Sequence, residues 1–120
     1  NMAAPNIVNV STILGKTNVL QMTTSETAIV TNASSSGKVY KINSLILANK
    51  NGGGAANTYV SLYRGGVTYY LAYTVAVPAD ATLVAIAKDA NIYLEEGDEL
   101  RVWASSSSYV DAVCSYEVIS

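Results

Sequence analysis

Histidine and phenylalanine are absent from the 120-residue chain, cysteine occurs once and proline twice, and charged residues make up only 13%. Each shortage removes a class of function. Without histidine the chain lacks the commonest general base, the usual partner of a nucleophilic Ser or Cys, and the commonest metal ligand. A lone Cys114 forms no intrachain disulfide and asks for no oxidising compartment. Seven Lys and Arg against nine Asp and Glu give a formal charge of -2. With no basic block anywhere, the electrostatic basis for capturing nucleic acid is missing. No apolar run reaches the length of a membrane-spanning helix, and the opening residues carry no signal-peptide pattern. Neither secretion nor a membrane location is expected. Asn1 ahead of Met2 reads as an added residue and is set aside.

What is present is hydrophobic and tyrosine-rich: half the residues are apolar by type, with nine Tyr and one Trp. A chain of this length is expected to form a single domain over residues 1–120, large enough to bury a core without disulfides or metals. The dominant signal is period-two alternation broken by Gly, Ser and Asn clusters, which reads as half-buried strands joined by turns. Near the carboxyl end, Val110, Ala112, Cys114, Tyr116 and Val118 share one face, while Asp111, Ser115 and Glu117 share the other. From Val67 to Val77 the odd positions form one face and the even positions the other, until Pro78 stops the strand. Val39 to Asn49 alternates and then turns continuously apolar through Leu45, Ile46, Leu47 and Ala48, the pattern of a central strand covered on both faces.

Further strands are expected over Val19 to Thr23, Thr27 to Thr31, Thr58 to Arg64, Leu83 to Lys88, Asn91 to Leu94 and Glu99 to Ala104. The intervening NASSSG, NGGGAA, GG, PADA, EGD and SSSS segments supply positive φ and side-chain bonds to nearby backbone, the two requirements of tight turns. No segment sustains helical spacing. The expected fold is all-β: an antiparallel β-sandwich of about 8 or 9 strands, with a jelly roll as leading topology.

Candidate chemistry is sparse. Glu95, Glu96, Asp98 and Glu99 are the only concentration of charge. Two of them are of the type that serves a glycosidase or holds calcium, but they flank a glycine turn between strands, where solvated carboxylates protect hairpin edges. Gly52-Gly53-Gly54 is followed by neither a GK[ST] sequence nor a helix, so it reads as a turn rather than a phosphate cradle. Cys114 lies on an apolar strand face and reads as core. No catalytic residue, cofactor or metal site is expected.

The tyrosines are more informative. If Val60 and Leu62 face the core, Tyr59, Tyr63 and Arg64 face outward, and Trp103 shares the face of Arg101 on its own strand. With Tyr70 these residues form the candidate interaction surface: Tyr59, Tyr63, Arg64, Tyr70 and Trp103. Tyrosine and arginine concentrate at protein interfaces. Outward aromatics also stack on sugar rings, so a carbohydrate-binding module used in host attachment is the alternative. The plain structural account leaves Tyr59 and Tyr63 packed under a loop or against the second sheet.

Several segments carry a family resemblance: Met2-Ala3-Ala4-Pro5-Asn6-Ile7-Val8-Asn9-Val10, Ile13-Leu14-Gly15-Lys16-Thr17, Ala28-Ile29-Val30-Thr31-Asn32, Gly37 to Leu45, Val77 to Val84, Ile92 to Asp98, and Cys114-Ser115-Tyr116-Glu117. Their order and coverage of nearly the whole chain resemble the small virion structural proteins of T4-like marine cyanophages. The resemblance implies a non-catalytic structural protein located in the virion, as a capsid decoration or a tail-associated part. Its implied partners are other virion proteins and further copies of itself, with a trimer favoured by analogy to phage sandwich domains. It assigns no catalytic residue. Low charge and outward tyrosines independently favour a homo-oligomer.

Overall fold

The computed structural model describes residues 12–120, so the opening motif from Met2 to Val10 lies outside the described residues. The strands are β1 (Ile13–Gln21), β2 (Thr27–Thr31), β3 (Val39–Asn49), β4 (Ala56–Arg64), β5 (Val67–Val77), β6 (Thr82–Ile86), β7 (Ile92–Leu94), β8 (Glu99–Ala104) and β9 (Val110–Ile119). A single 3-10 turn over Lys88–Ala90 is the only helical segment among the described residues.

Two antiparallel sheets form, with orders β1-β9-β3-β6 and β2-β8-β4-β5. β6 pairs with Leu45–Ala48 of β3 and β7 with Tyr40–Ile42, so β6 and β7 occupy one sheet position that the 3-10 turn interrupts. Counted that way, the eight positions alternate between sheets except at the β4–β5 hairpin, as in a jelly roll, and the expectation of an antiparallel sandwich of about 8 or 9 strands holds.

The core lies between the sheets. β9 alternates as its sequence requires, burying Val110, Ala112, Cys114, Tyr116 and Val118 against Ile42, Leu45 and Leu47 of β3 and Val60, Leu100 and Val102 opposite. β3 is central in hydrogen bonding, between β9 and the β6/β7 position, but it is not covered on both faces as its apolar run suggests. Leu45 and Leu47 are buried, whereas Ile46 and Ala48 lie on the outer side, shielded in part by neighbours in their own sheet. A bulge at Asn43, between Ile42 and Ser44, keeps Ile42 and Leu45 on the same inner face.

The turns follow their residues. Gly65 and Gly66, at φ +60° and +79°, form a two-residue hairpin whose mirror-image twist matches that of β4 and β5. The longer loops are wired by buried asparagines. Asn32 donates to the carbonyls of Lys38 and Leu94 and accepts from Ser36 Oγ, and Asn49 donates to those of Gly54 and Val77. Their amides are spent on the fold, not presented to a ligand. β1 is longer than its sequence signal, starting at Ile13 rather than Val19, because pairing with β9 continues without interruption to Ile119. Its first half is exposed on both faces and so lacks the alternation that marks a half-buried strand.

Candidate functional site

The outer face of the four-stranded sheet is built from β4, β8 and β5. On β4 the inner positions are Thr58, Val60 and, partly, Leu62, which leaves Tyr59, Ser61 and Tyr63 on the outer side, where Ser61, between Tyr70 and Arg101, is itself buried. On β8, Leu100, Val102 and Ala104 are buried, placing Glu99, Arg101 and Trp103 outside. Cross-strand register sets Tyr59 opposite Trp103, Ser61 opposite Arg101, and Tyr63 opposite Glu99.

β5 does not obey the strict alternation of its sequence. Its register with β4 shifts twice, so that Val60 faces Ala72 and Ser61 faces Tyr70, while Thr58 faces Val75. Leu71 and Thr74 are therefore the extra residues of two bulges. Thr74 takes the left-handed φ of +57°, costly for a β-branched residue, and the neighbouring Thr58 Oγ1 donates to the Val75 carbonyl at 2.8 Å. The odd-numbered face expected from Val67 to Val77 does not exist as one face. Tyr70 and Tyr73, of opposite parity, both reach the outer surface.

The result is a contiguous aromatic cluster. Tyr59 stacks on Trp103 with centroids 5.1 Å apart and planes 3° from parallel. Tyr73 meets Tyr59 edge-on at 5.4 Å, and Tyr70 meets Tyr73 edge-on at 4.8 Å and Trp103 at 5.7 Å. Such pairs are worth about 0.5–1.5 kcal/mol each beyond their burial, which fixes the rings in place. Tyr73 is 65% exposed and Tyr70 47%, so the cluster is assembled and still open to solvent. Beside it the Arg101 guanidinium lies 3.6 Å over the Tyr63 ring and bonds Glu99 at 2.7 Å and Glu26 at 3.1 Å. Burial alone would lower its pKa, but the bonds to Glu99 and Glu26 outweigh burial and raise it, so the charge is held.

Of the five sequence candidates, Tyr59, Tyr63, Tyr70 and Trp103 come together here. Arg64 does not. It has the inner parity of β4 at the end of the strand, beyond the apolar core, and turns to the buried Asp98 carboxylate. Its Nε meets Oδ1 at 2.9 Å and its Nη2 meets Oδ2 at 2.6 Å, and that bonding raises the Arg64 pKa. Sequence reasoning missed Tyr73, because parity separates it from Tyr70 and neither bulge is marked by glycine.

The acidic cluster is not the solvated turn its sequence suggests. Asp98 is buried and also accepts the Glu95 N–H at 2.7 Å, Glu96 accepts the Gly37 N–H at 2.6 Å, and Glu99 holds Arg101. These carboxylates tie loops to strand ends. Among the described residues no three His, Cys, Asp or Glu side chains are grouped to hold a metal ion. Cys114 is fully buried and its pKa is pushed from 9.0 to about 12 by that burial, so it is a poor nucleophile.

No family model and no curated protein matches this sequence. Among solved structures, the fold is similar to a chain of the acid-stable capsid of Helicobacter pylori bacteriophage KHP30, with a TM-score of 0.55, 11% identity, and coverage of 93% of this chain and 90% of that one. It is also similar to a chain of the Bacillus endospore appendages, a family of disulfide-linked pili, with a TM-score of 0.54, 15% identity, and coverage of 100% and 97%. At such identities the likeness is one of fold: a jelly-roll sandwich matched over nearly the full length of both chains.

Proposed function

We propose that this protein is a non-catalytic structural protein of a phage virion, a capsid decoration or tail-associated domain, of the kind found in T4-like marine cyanophages. The observation that carries the reading is the preassembled but exposed cluster of Tyr59, Trp103, Tyr73 and Tyr70 beside Arg101. Tyr and Arg fixed on a rigid sheet lose little freedom on binding, and aromatic area of this kind is normally hidden in a protein interface. The expected occupant is another virion protein or a second copy of this chain, with a threefold ring as the expected closed form. The fold shared with a phage capsid chain and a pilus chain supports the reading, since both of those proteins serve in assemblies.

The ring geometry weighs against host glycan as the ligand. Tyr59 and Trp103 turn their faces to each other, and the exposed Tyr70 and Tyr73 stand edge-on, so the open rings do not make the flat platform on which a sugar stacks. Immunogold labelling of intact particles with an antibody to this chain tests location. Light scattering of the chain and of the Tyr70→Ser/Tyr73→Ser variant tests the surface. A lower mass with an unchanged β spectrum is expected, and equal masses would remove this face from the assembly.

A further inference from the structure

The two sheets end in four edges, and three of them carry devices that prevent another strand from pairing. β2 is only five residues long with a bulge at Ile29, β5 has bulges at Leu71 and Thr74, and the β6/β7 edge is cut by the 3-10 turn. β1 has none of these. It runs nine residues from Ile13 to Gln21 in unbroken register with β9, contains no proline, and has Lys16 as its single charge.

Its free backbone groups can be assigned. Thr12 and Ser120 exchange hydrogen bonds of 3.0 and 2.9 Å, and the Met22 N–H donates to the Val110 carbonyl at 2.8 Å. Antiparallel ladders alternate, so the even positions Leu14, Lys16, Asn18 and Leu20 bond β9. Ile13, Gly15, Thr17, Val19 and Gln21 then aim their N–H and C=O groups at an edge that no described strand pairs with. Val19 is 73% exposed, and Ile13 and Leu14 are more than half exposed.

Gly15 adds an independent sign. A mid-strand glycine weakens a strand and usually marks a bulge or the close approach of something else. β1 has no bulge, Gly15 has no positive φ, and a Cβ added there meets nothing within 4 Å among the described residues. The described residues of the single chain give no reason for a glycine at that position.

We infer that β1 is an assembly edge that pairs antiparallel with β1 of a second copy about a twofold axis at Thr17, joining two five-stranded sheets into one. Thr17 is the middle residue of the strand. In that register every outward residue meets an outward residue: Thr17 its own copy, Gly15 the partner's Val19, and Ile13 the partner's Gln21. The bare Gly15 leaves room for the bulky, exposed Val19. Lys16 faces the partner's Asn18, so its charge is not set directly opposite its own copy. The pairing uses the sheet opposite the aromatic cluster and is independent of it, so the two contacts together would link closed rings into a larger array.

Oxidative crosslinking tests the register. In a hydrogen-bonded antiparallel pair the Cα atoms are about 5.5 Å apart, within disulfide reach, so Thr17→Cys is expected to give a covalent dimer on a non-reducing gel. Val19→Cys is expected to give none, because the two copies of that position are roughly 13 Å apart along the strands. In the Tyr70→Ser/Tyr73→Ser background, light scattering across the micromolar range should report a dimer. Adding Thr17→Pro, which removes an outward N–H and an exposed hydroxyl contact with Ser115 but no ladder bond to β9, or Val19→Lys should return the monomer with an unchanged β spectrum. A monomer without either change, a dimer that survives both, or crosslinking through Val19→Cys in place of Thr17→Cys would overturn the inference. A change in mass on Tyr70→Ser/Tyr73→Ser alone speaks to the aromatic face and leaves these outcomes separate.

Discussion

Replacing Arg64 by Met would leave the Asp98 carboxylate stranded. The Asp98 side chain is only 3% exposed, and its two oxygens are held by Arg64 Nε and Nη2, with the Glu95 N–H as the one remaining donor. Breaking a buried pair by removing one partner costs about 3–5 kcal/mol, and because the Arg64 side chain is 42% exposed, water can reach the vacated space, which favours the low end, about 3 kcal/mol. For a chain of this size that is a fall in Tm of about 12 °C. Asp98→Ala should cost about 2 kcal/mol, since the freed guanidinium can be solvated while the Glu95 N–H loses its acceptor. The double variant should cost little more than Arg64→Met alone, giving a coupling energy of about 2 kcal/mol between the two positions. Urea denaturation followed by circular dichroism and Trp103 fluorescence measures all four corners of the cycle. A coupling below about 0.5 kcal/mol would show that the pair is no strut and that the EGD turn is held by its backbone alone.

Cys114 should resist thiol reagents in the native state. Because its folded pKa lies near 12 against an ordinary 9.0, its contribution to stability is present below pH 9 and is lost as pH rises toward 12, at about 1.4 kcal/mol per pH unit. Cys114→Ala should flatten that slope in urea titrations at successive pH values, whereas Cys114→Asp should cost about 3–5 kcal/mol by burying an unpaired charge. Ser61 Oγ is fully buried without a hydrogen-bond partner, so Ser61→Ala should be neutral or stabilising by up to about 1 kcal/mol, and a loss of more than that would reveal a partner for the hydroxyl. Thr74→Gly should stabilise by about 0.5–1 kcal/mol, because relief of a left-handed threonine exceeds the added chain entropy; a lower denaturation midpoint would mean that the Thr74 side chain compensates its own strain.

Strand existence was legible because burial on one face imprints parity on the residues. β9, β8 and β4 could be read from Val110–Val118, Glu99–Ala104 and Thr58–Arg64. Parity failed where the backbone broke it. Leu71, Thr74 and Asn43 are bulge residues that no local glycine announces, so the convergence of Tyr70 and Tyr73 was hidden while that of Tyr59, Tyr63 and Trp103 was not. It failed in a second way at Arg64 and the acidic turn, where chain ends meet in space. A guanidinium at the end of β4 and a carboxylate 34 positions later have no local signature, and only the folded sheet brings them to 2.6 Å. The first half of β1 was silent for a third reason: a strand exposed on both faces has no alternation to read.

The paired bulges in β5 separate two kinds of change that are usually coupled. Inner residues Val60, Thr58 and Ala56 of β4 keep their partners Ala72, Val75 and Val77, whichever residues are looped out between them. A single deletion at Leu71 would remove that bulge and leave every pairing as it is, with Tyr70 still opposite Ser61 on the outer side and Ala72 still opposite Val60 within. The length of this edge strand is therefore free to vary at the bulges, while composition decides what the surface displays. A lineage carrying this fold can lose the extra residue of either bulge in this edge strand and still present the same outer tyrosines over the same interior.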